Sequence, residues 1–351
     1  MLTVEIREDI DVFDDLAKWW NTQPGPMRSV FLRSEWFRTL ASTVTPSGSL
    51  RVFLVMDGDD PVAALPMYRS GRRLRSLTET STEDFDVIHG GDPKPVGYLV
   101  SELNRHTMFR FEALVEGSVL INVSDRQRRW HNDNETRHAI IDLSQGSEHF
   151  FSHLSRNMRS NLRRGLKALE EMGKVTVGAH PDHDRIDDVL AQGLALEAAG
   201  WKGQSDHAIM SSSRRLAFFK ELARVAEENG WLRLGTLHVD DRLVAFQYDL
   251  EYAGRQVLLI TCFDESLEKG SAGNVLLWKT LEAGMERGVT AYELGSVGGR
   301  KAWKLRWTSQ TSPRLYVVAF GSNPDGRIAS LAWEGRTRIK ALQRRAFSGV
   351  A

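Results

Sequence analysis

The clearest hydrophobic pattern in the chain lies near its middle. Apolar residues recur there at spacings of four and three, which places them on one face of an α-helix spanning about residues 154–172. They are Leu154, Met158, Leu162, Leu166 and Leu169. Basic residues occupy the remaining surface of this predicted helix: Arg156, Arg159, Arg163, Arg164 and Lys167.

Two more helices are predicted further along the chain. One spans about 211–229 and stops at Gly230; the other spans about 274–287 and ends at Gly288, a typical C-cap residue. A short apolar strand, about 289–294, follows the second helix. The second half therefore reads helix, helix, hairpin, strand, helix, strand, an order that predicts a mixed parallel and antiparallel sheet.

A weak internal repeat links the two halves of the chain. Residues 50–55 resemble residues 232–237, and residues 62–64 resemble residues 244–246 at the same offset. Asp59 and Asp241 fall in the turns between these apolar runs, so each copy predicts an antiparallel hairpin with a short loop. The alternative is that any two hairpins share such a pattern.

Length and charge limit the possible organisation. A chain of 351 residues exceeds what one hydrophobic core usually supports, so we expect two domains rather than one large domain. Lys plus Arg and Asp plus Glu both number 46, which gives a formal net charge of +0. The chain therefore has no overall positive field for a polyanion, although nucleic acid is not excluded.

Cysteine content and hydropathy bear on the compartment. Cys262 is the single cysteine, so an intramolecular disulfide is impossible and we predict no metal site built on cysteine. The spacing of His149 and His153 lacks the glutamate of a His-Glu-x-x-His site, so we expect no metal there either. No run of about 18 apolar residues predicts a membrane span. We expect a soluble, cytoplasmic protein.

Seven short motifs between about residues 150 and 308 carry a family resemblance. They are residues 156–164, 197–203, 230–234, 244–246, 270–277, 292–295 and 301–307. Their order resembles that of the double-GNAT acetyltransferases encoded with cellulose and exopolysaccharide genes. The architecture is also similar to that of the Fem peptidyltransferases, which take an aminoacyl group from charged tRNA.

The resemblance implies a fold and a reaction. The implied fold is α/β, with an α+β mixed sheet in two tandem GNAT-like domains, residues 1–150 and 151–351, the second carrying the donor site. The implied activity is transfer of an acyl group from acetyl-CoA or another acyl-CoA to an amine of a small molecule, an amino sugar or a cell-envelope precursor. Alternatives are aminoacyl transfer from charged tRNA and an inert scaffold that binds a metabolite.

The predicted donor-binding loop lies between a strand and a helix. Small residues there let backbone N–H groups approach a phosphate at the positive end of the helix. The loop consists of Lys269, Gly270, Ser271, Ala272, Gly273 and Asn274. It departs from the usual GNAT pattern, because Glu268 stands where glutamine or arginine is expected and Ser271 where glycine is expected. The alternative is an ordinary strand-to-helix loop.

Glu293 is the candidate that would accept a proton from the attacking amine. A lone carboxylate in a short apolar strand either faces a cleft or interrupts the burial pattern, and a carboxylate can relieve the amine of its proton. Alternation along the strand places Glu293 and Tyr292 on opposite faces. The alternative is a structural ion pair of Glu293 with Lys301, Lys304 or Arg306.

A cationic, aromatic segment follows Glu293 at residues 300–307. Four cations and two tryptophans in eight positions suit a phosphate, a carboxylate or a sugar face. Lys304 is the candidate for stabilising charge during catalysis, and Arg300 and Trp307 are candidates for binding substrate. Trp303 and Trp307 share one face of a helix, so a core position is the favoured alternative for both tryptophans.

Two further segments are candidates for binding the acceptor. Trp201 and Lys202 follow an apolar helix between glycines, and could form one wall of an acceptor site or a simple helix terminus. In the first half, Asp84 lies in an acidic loop that could attract an amine. Such a loop is more often merely solvated.

Overall fold

The chain forms two compact units. The computed structural model describes residues 1–25, 27–124, 129–200 and 208–348. Unit 1 comprises Met1–Met27, Phe31–Glu135 and Pro313–Ala351, and unit 2 comprises Arg28–Val30 and Thr136–Ser312. The segment after residue 312 thus packs with the first unit. The domain boundary predicted between residues 150 and 151 stays a prediction.

Strands dominate the first third of the chain. The strands are β1 (Leu2–Arg7), β2 (Leu50–Asp57), β3 (Asp60–Ser70), β4 (Arg73–Ser76), β5 (Ile88–His89) and β6 (Met108–Val115). The helices are α1 (Val12–Asp15), α2 (Ala17–Asn21), α3 (Ser34–Thr43), α4 (Lys94–Leu103) and α5 (Val119–Ser124), with a 3-10 turn at Val30–Leu32.

The rest of the chain alternates helices and strands. The strands are β7 (Trp130–Asp142), β8 (Val175–Gly178), β9 (Leu232–Val239), β10 (Arg242–Tyr252), β11 (Arg255–Phe263), β12 (Ala291–Ser296) and β13 (Thr311–Phe320). The helices are α6 (Gly146–His153), α7 (Arg156–Glu170), α8 (Ile186–Ala199), α9 (Ser213–Glu228), α10 (Ala272–Glu286) and α11 (Pro324–Ser348). Turns of 3-10 helix cover His183–Arg185, Ile209–Ser211, Glu265–Gly270 and Gly299–Arg306.

Each unit contains both parallel and antiparallel strand pairs. In unit 1 the strand order is β1-β2-β3-β4-β6-β13, and β5 pairs with β3. In unit 2 the order is β7-β12-β11-β10-β9-β8. The β4–β6 and β11–β12 pairs are parallel, and the other named pairs within each unit are antiparallel. The mixed α/β fold predicted from the order of elements is confirmed.

The three predicted helices form near their predicted limits. Helix α7 begins one residue after Ser155, whose hydroxyl accepts the N–H of Met158 at 3.1 Å and caps the helix. Its residues Met158, Leu162 and Leu169 are buried. Helices α9 and α10 lie within two residues of their predicted limits, and Gly288 has φ +90°, as its predicted C-cap role requires.

The two predicted hairpins share one register. In β2–β3, Leu54 pairs with Ala64; 182 residues later, in β9–β10, Thr236 pairs with Phe246. Both hairpins have a register shift at the same place, which leaves Val62 and Val244 without a cross-strand partner within their hairpins. The repeat seen in the sequence is therefore also a structural repeat, extending to the bulge.

Helices cover both faces of the unit 2 sheet. On one face, α7 and α10 contribute Leu169, Val275 and Leu276 to a core with Ala245. On the other face, α8 lies so close that a Cβ on Gly193 would be 2.5 Å from the Phe246 ring, and Phe219 of α9 contacts Tyr248. In the described part of the chain, no helix is both long enough and apolar enough to cross a membrane.

Candidate active site

The central strands of unit 2 separate beside a helix N-terminus. Strands β11 and β12 pair in parallel at three positions, of which Val257 with Glu293 is the last. Within the described residues, no pairing joins the two strands beyond that point, although they are neighbours in the sheet. We call this space the strand gap; it lies beside residues 258–263 of β11.

Exposure along β11 agrees with an open gap. Strand β11 lies between β10 and β12 in the sheet order, a position that normally buries a strand on both faces. Yet Leu259, Thr261 and Cys262 are only half-buried, and Phe263 is 43% exposed. Backbone groups on an unpaired strand edge are ready to bond an extended partner.

The predicted donor loop leads from the end of β11 into α10. Lys269 and Gly270 end the 3-10 turn Glu265–Gly270, but the side chain of Lys269 lies outside the described part of the chain. Ser271 is the N-cap of α10 with φ 45° and ψ 42°, the left-handed region, in which serine is uncommon. The first turn of the helix then starts at Ala272, where amide N–H groups lack intrahelical partners.

Packing fixes this turn. Ala272 is fully buried, and a Cβ on Gly273 would be 2.9 Å from Cδ1 of Phe263 at the end of β11. Asn274 is half-buried, and its N–H donates to the carbonyl of Ser271 at 2.9 Å. Small residues at 272 and 273 therefore allow the helix N-terminus to lie against the last residue of β11.

Glu293 lies where β12 leaves β11. It is 1% exposed, and its Oε2 accepts a hydrogen bond from Nη2 of Arg255 on β11. Its Oε1 lies 3.4 Å from Nδ1 of His138 on β7. Tyr292 points to the other face and donates its hydroxyl to Asp249, so the alternation predicted for Glu293 and Tyr292 is confirmed.

His138 is a site candidate that the sequence did not reveal. It is 4% exposed, and its Nε2 lies 3.2 Å from the hydroxyl of Thr136. Histidine next to a carboxylate is a common proton acceptor. The only signal available was a histidine next to an apolar run, residues 139–141, and nothing local related it to Glu293.

A second buried carboxyl, on β10, lies on the opposite face of the unit 2 sheet. Asp249 is 1% exposed, and its Oδ2 accepts hydrogen bonds from Tyr292 at 2.8 Å and Gln256 at 2.7 Å. Burial raises the pKa of Asp249 to about 7, although these hydrogen bonds oppose the rise. The criterion that selected Glu293, a lone carboxylate in an apolar strand, also fits Asp249.

The cationic, aromatic segment is buried at Lys304 and Trp307, whereas Ala302, Leu305 and Arg306 are exposed. Lys304 is 8% exposed and lies in the 3-10 turn Gly299–Arg306; the side chain of Arg300, in the same turn, lies outside the described part. Trp307 is 3% exposed and belongs to the core that includes Tyr292 and Leu294. Trp307 is therefore a core residue, as the favoured alternative predicted. A contact of Trp307 with substrate stays a prediction.

The candidate acceptor residues fall in different places. Trp201 and Lys202 lie outside the described residues. Glu197, in the last turn of α8, is buried and accepts the N–H of Ile209 at 3.0 Å. In unit 1, Asp84 is 2% exposed and ion-paired with Arg314 at 2.8 Å. This burial counts against direct contact of Asp84 with an acceptor.

Parallel strands that separate beside a helix N-terminus, within a fold that repeats its hairpin, agree with an acyltransferase of tandem architecture. The chain belongs to the GNAT acetyltransferase family, because the family model described as an acetyltransferase (GNAT) domain matches residues 2–100 and 156–305. No curated protein gives a match to the chain.

Solved structures share this fold over nearly the whole chain. A tandem GNAT protein from the clavulanic acid biosynthesis pathway is 14% identical, with TM-score 0.53 and coverage of 92% of this chain and 99% of that one. FemX is 8% identical, with TM-score 0.60 and coverage of 93% and 100%. The C-terminal domain of a protein named as a lysylphosphatidylglycerol synthetase, from Agrobacterium fabrum, is 15% identical, with TM-score 0.60 and coverage of 94% and 97%.

Proposed function

We propose that the protein transfers an acyl group from acyl-CoA, or a related carrier thioester, to an amine of a small molecule, amino sugar or cell-envelope precursor. The observation that carries this proposal is the strand gap beside the N-terminus of α10. An extended, phosphate-bearing donor needs an unpaired strand edge for its chain and a positive helix terminus for its phosphates. Unit 2 offers both within a few residues of each other.

The reaction needs a proton acceptor near the end of the gap. The uncharged amine attacks the thioester carbonyl carbon, a C–N bond forms, the C–S bond breaks, and the amine proton must be removed. Oε2 of Glu293 is held by Arg255, and its Oε1 faces Nδ1 of His138. We therefore assign it the task of orienting His138, whose Nε2 then accepts the proton. Lys304 stabilises negative charge on a substrate.

Titration calorimetry with acetyl-CoA and a series of longer acyl-CoAs tests the donor. The proposal predicts a dissociation constant in the micromolar range for at least one member of the series, and heat that depends on acyl length if the gap also holds the acyl chain. Absence of binding to every thioester would remove the acyl-CoA proposal.

The second candidate is aminoacyl transfer from charged tRNA, as the resemblance to Fem peptidyltransferases implies. The observation that favours it is a basic face on α7, where Arg156, Arg163 and Arg164 are exposed. Arg159 is different, because its guanidinium donates to the carbonyl oxygens of Ser152 and Leu154, each at 2.7 Å, at the end of α6. A charge reversal at Arg159 would therefore disturb the structure as well.

Charge reversal of the exposed arginines separates the two donors. If α7 holds tRNA phosphates, Arg156→Glu, Arg163→Glu and Arg164→Glu together abolish tRNA binding and flatten its salt dependence. Acyl-CoA binding should then stay unchanged. If the wild-type protein does not bind tRNA even at low salt, only the thioester proposal remains.

The acceptor class and the compartment remain part of the proposal. A link to cellulose or exopolysaccharide synthesis rests on the order of motifs in the sequence. The cytoplasm is the compartment we propose, since a chain with one cysteine suits a reducing environment. Mass spectrometry of cells with and without the protein, searching for the acylated product, would identify the acceptor.

A further inference from the structure

Unit 1 repeats the parallel strand pair of unit 2 but not its gap. Strands β4 and β6 pair in parallel at three positions, as β11 and β12 do. The first residues of the two pairings, Arg73 and Arg255, are again 182 positions apart, the offset of the hairpin repeat. In unit 1, however, β4 ends at Ser76, and the following chain returns toward β6.

The returning chain covers the edge of β6 with its own backbone. Phe85 forms a parallel β-bridge with Leu114. The N–H of Phe85 donates to the carbonyl of Ala113 at 2.8 Å, and the N–H of Val115 donates to the carbonyl of Phe85 at 3.3 Å. These are the kinds of backbone groups that an extended ligand would otherwise bond.

The same segment also covers the neighbouring edge of β3. Ile88 pairs with Ala64, and His89 pairs with Ala63. Phe85 is fully buried and lies against the rings of Phe37 and Phe111. Ala63 and Ala64 correspond to Ala245 and Phe246, which in unit 2 pair with Phe263 and Cys262 of β11. We call residues 83–89 the closing segment, because they take the position of the outer half of β11 but pair with β6 through Phe85, so that no gap opens beside them.

Charged and polar contacts hold the closing segment on both sides of Phe85. Arg314 on β13 donates to Oδ1 of Asp84 at 2.8 Å through Nη2 and to the carbonyl of Glu83 at 2.7 Å through Nε. On the other side, the hydroxyl of Ser118 donates to Oδ1 of Asp86 at 2.6 Å. Arg314 and Asp84 are both buried, so removal of either partner would leave a buried charge.

We infer that the closing segment, by pairing with β6, permanently closes the donor position of unit 1, so that the protein binds one donor per chain, in unit 2 alone. The inference rests on the proposed function, because only that function makes this position a donor site. It explains the aspartates of this segment without a contact to substrate: Asp84 and Asp86 anchor a piece of the protein's own backbone.

Native mass spectrometry of the full chain with acetyl-CoA tests the number of sites. The expected result is a complex with one acetyl-CoA per chain, at concentrations well above the dissociation constant. Two acetyl-CoA molecules per chain, bound with similar affinity, would overturn the inference while upholding the proposed function. No binding at all would count against the proposed function, and the exchange experiment below then decides the inference.

Amide hydrogen exchange tests the closing segment without any ligand. The amides of Phe85 and Val115 should exchange at least about 100-fold more slowly than in an unstructured peptide, because both N–H groups are bonded. Unprotected exchange at both amides in the wild-type protein would overturn the inference, whatever the protein binds.

A matched pair of variants identifies what holds the segment. Arg314→Met should raise exchange at Phe85 by about 10-fold or more, while exchange in the β2–β3 hairpin stays unchanged. Arg105→Met is the control, since Arg105 is 77% exposed and pairs with Glu102 outside the segment; it should alter neither region. If Arg314→Met does not fold, the wild-type measurement stands alone and remains decisive.

Discussion

At the residue scale, strand pairing selects the partners of Glu293. The cations nearest to it in sequence, at positions 301, 304 and 306, were the expected ion-pair partners. In the structure, Arg255 from β11 and His138 from β7 lie next to its two carboxylate oxygens. A lone carboxylate in an apolar strand is visible in a sequence, but the neighbours of that strand are set by long-range pairing.

The first prediction concerns the proton relay. If Glu293 acts through His138, Glu293→Gln and His138→Gln should each lower kcat by about 100-fold or more, with donor affinity nearly unchanged. The double variant should be no worse than either single variant, because both changes break one relay. Steady-state kinetics and melting temperatures on the same four proteins measure this.

A structural role would give a different pattern. Melting temperatures would then fall together for the Glu293 and His138 variants, while kcat of the folded fraction stayed near the wild-type value. Unchanged kinetics for Glu293→Gln would remove its assignment to the reaction.

The second prediction separates Lys304 from Glu293. If Lys304 holds a charged group of the substrate, Lys304→Ala should chiefly raise KM, because that contact is present in both ground and transition states. Lys304→Arg, which keeps the charge, is the matched control and should recover part of the loss. A fall in kcat alone, with KM unchanged, would contradict this role.

The third prediction follows from the raised pKa of Asp249. In the folded protein this carboxyl keeps its proton up to about pH 7, whereas in the unfolded chain it loses the proton near pH 4. Unfolding between these values releases a proton, so stability falls as the pH rises from 4 to 7 and then levels off.

Asp249→Asn should remove this dependence while keeping the hydrogen bonds from Tyr292 and Gln256. Relative to wild type, the variant should gain about 3 kcal/mol of unfolding free energy between pH 5 and pH 8. Denaturant unfolding at the two pH values measures this. Asp59→Asn, at an exposed turn, is the control and should show no such change. A difference in unfolding free energy between Asp249→Asn and wild type that stays the same at both pH values would contradict the raised pKa.

At the element scale, helices and hairpins could be predicted from local sequence patterns, whereas strand pairs between distant segments could not. Helices α7 and α10 follow from apolar spacings of three and four residues, and α9 from the glycine that ends it. Both hairpins follow from apolar runs broken by acidic turns, and all these patterns act over short stretches of chain. The β4–β6 and β7–β12 pairs join segments far apart in sequence. No local pattern specifies such pairs, nor the point where the β11–β12 pairing ends and leaves the strand gap.

The fourth prediction compares two helical glycines. A Cβ on Gly193 of α8 would lie 2.5 Å from the Phe246 ring, whereas a Cβ on Gly97 of α4 would meet nothing within 4 Å. Gly193→Ala should therefore destabilise the protein by about 2 kcal/mol or more. Gly97→Ala should stabilise it by about 0.5–1 kcal/mol, because alanine loses less backbone entropy in a helix. Equal effects of the two substitutions on chemical denaturation would contradict the close packing of α8 on β10.

At the scale of the whole molecule, one hairpin register occurs twice and only one copy keeps an open gap. The offset of 182 residues was visible in the sequence because apolar runs and acidic turns recur. The return of residues 313–351 to unit 1 was not, since length and composition indicate how many domains a chain forms but not where it re-enters one. The donor loop was predicted from its small residues, whereas the strand gap beside it is visible only in the pairing of β11 and β12.

The donor site in unit 2 is tested most directly by the affinity for acetyl-CoA of two variants of Ser271. Asparagine and aspartate both tolerate the left-handed backbone at this N-cap, so Ser271→Asn and Ser271→Asp should fold alike and differ by one negative charge. A phosphate-bearing donor at the helix terminus predicts at least about 10-fold weaker binding to Ser271→Asp than to Ser271→Asn in calorimetry, since the added carboxylate repels it. The Asn variant should bind within about threefold of wild type. Equal affinity of both variants for acetyl-CoA would contradict a donor site at the N-terminus of α10.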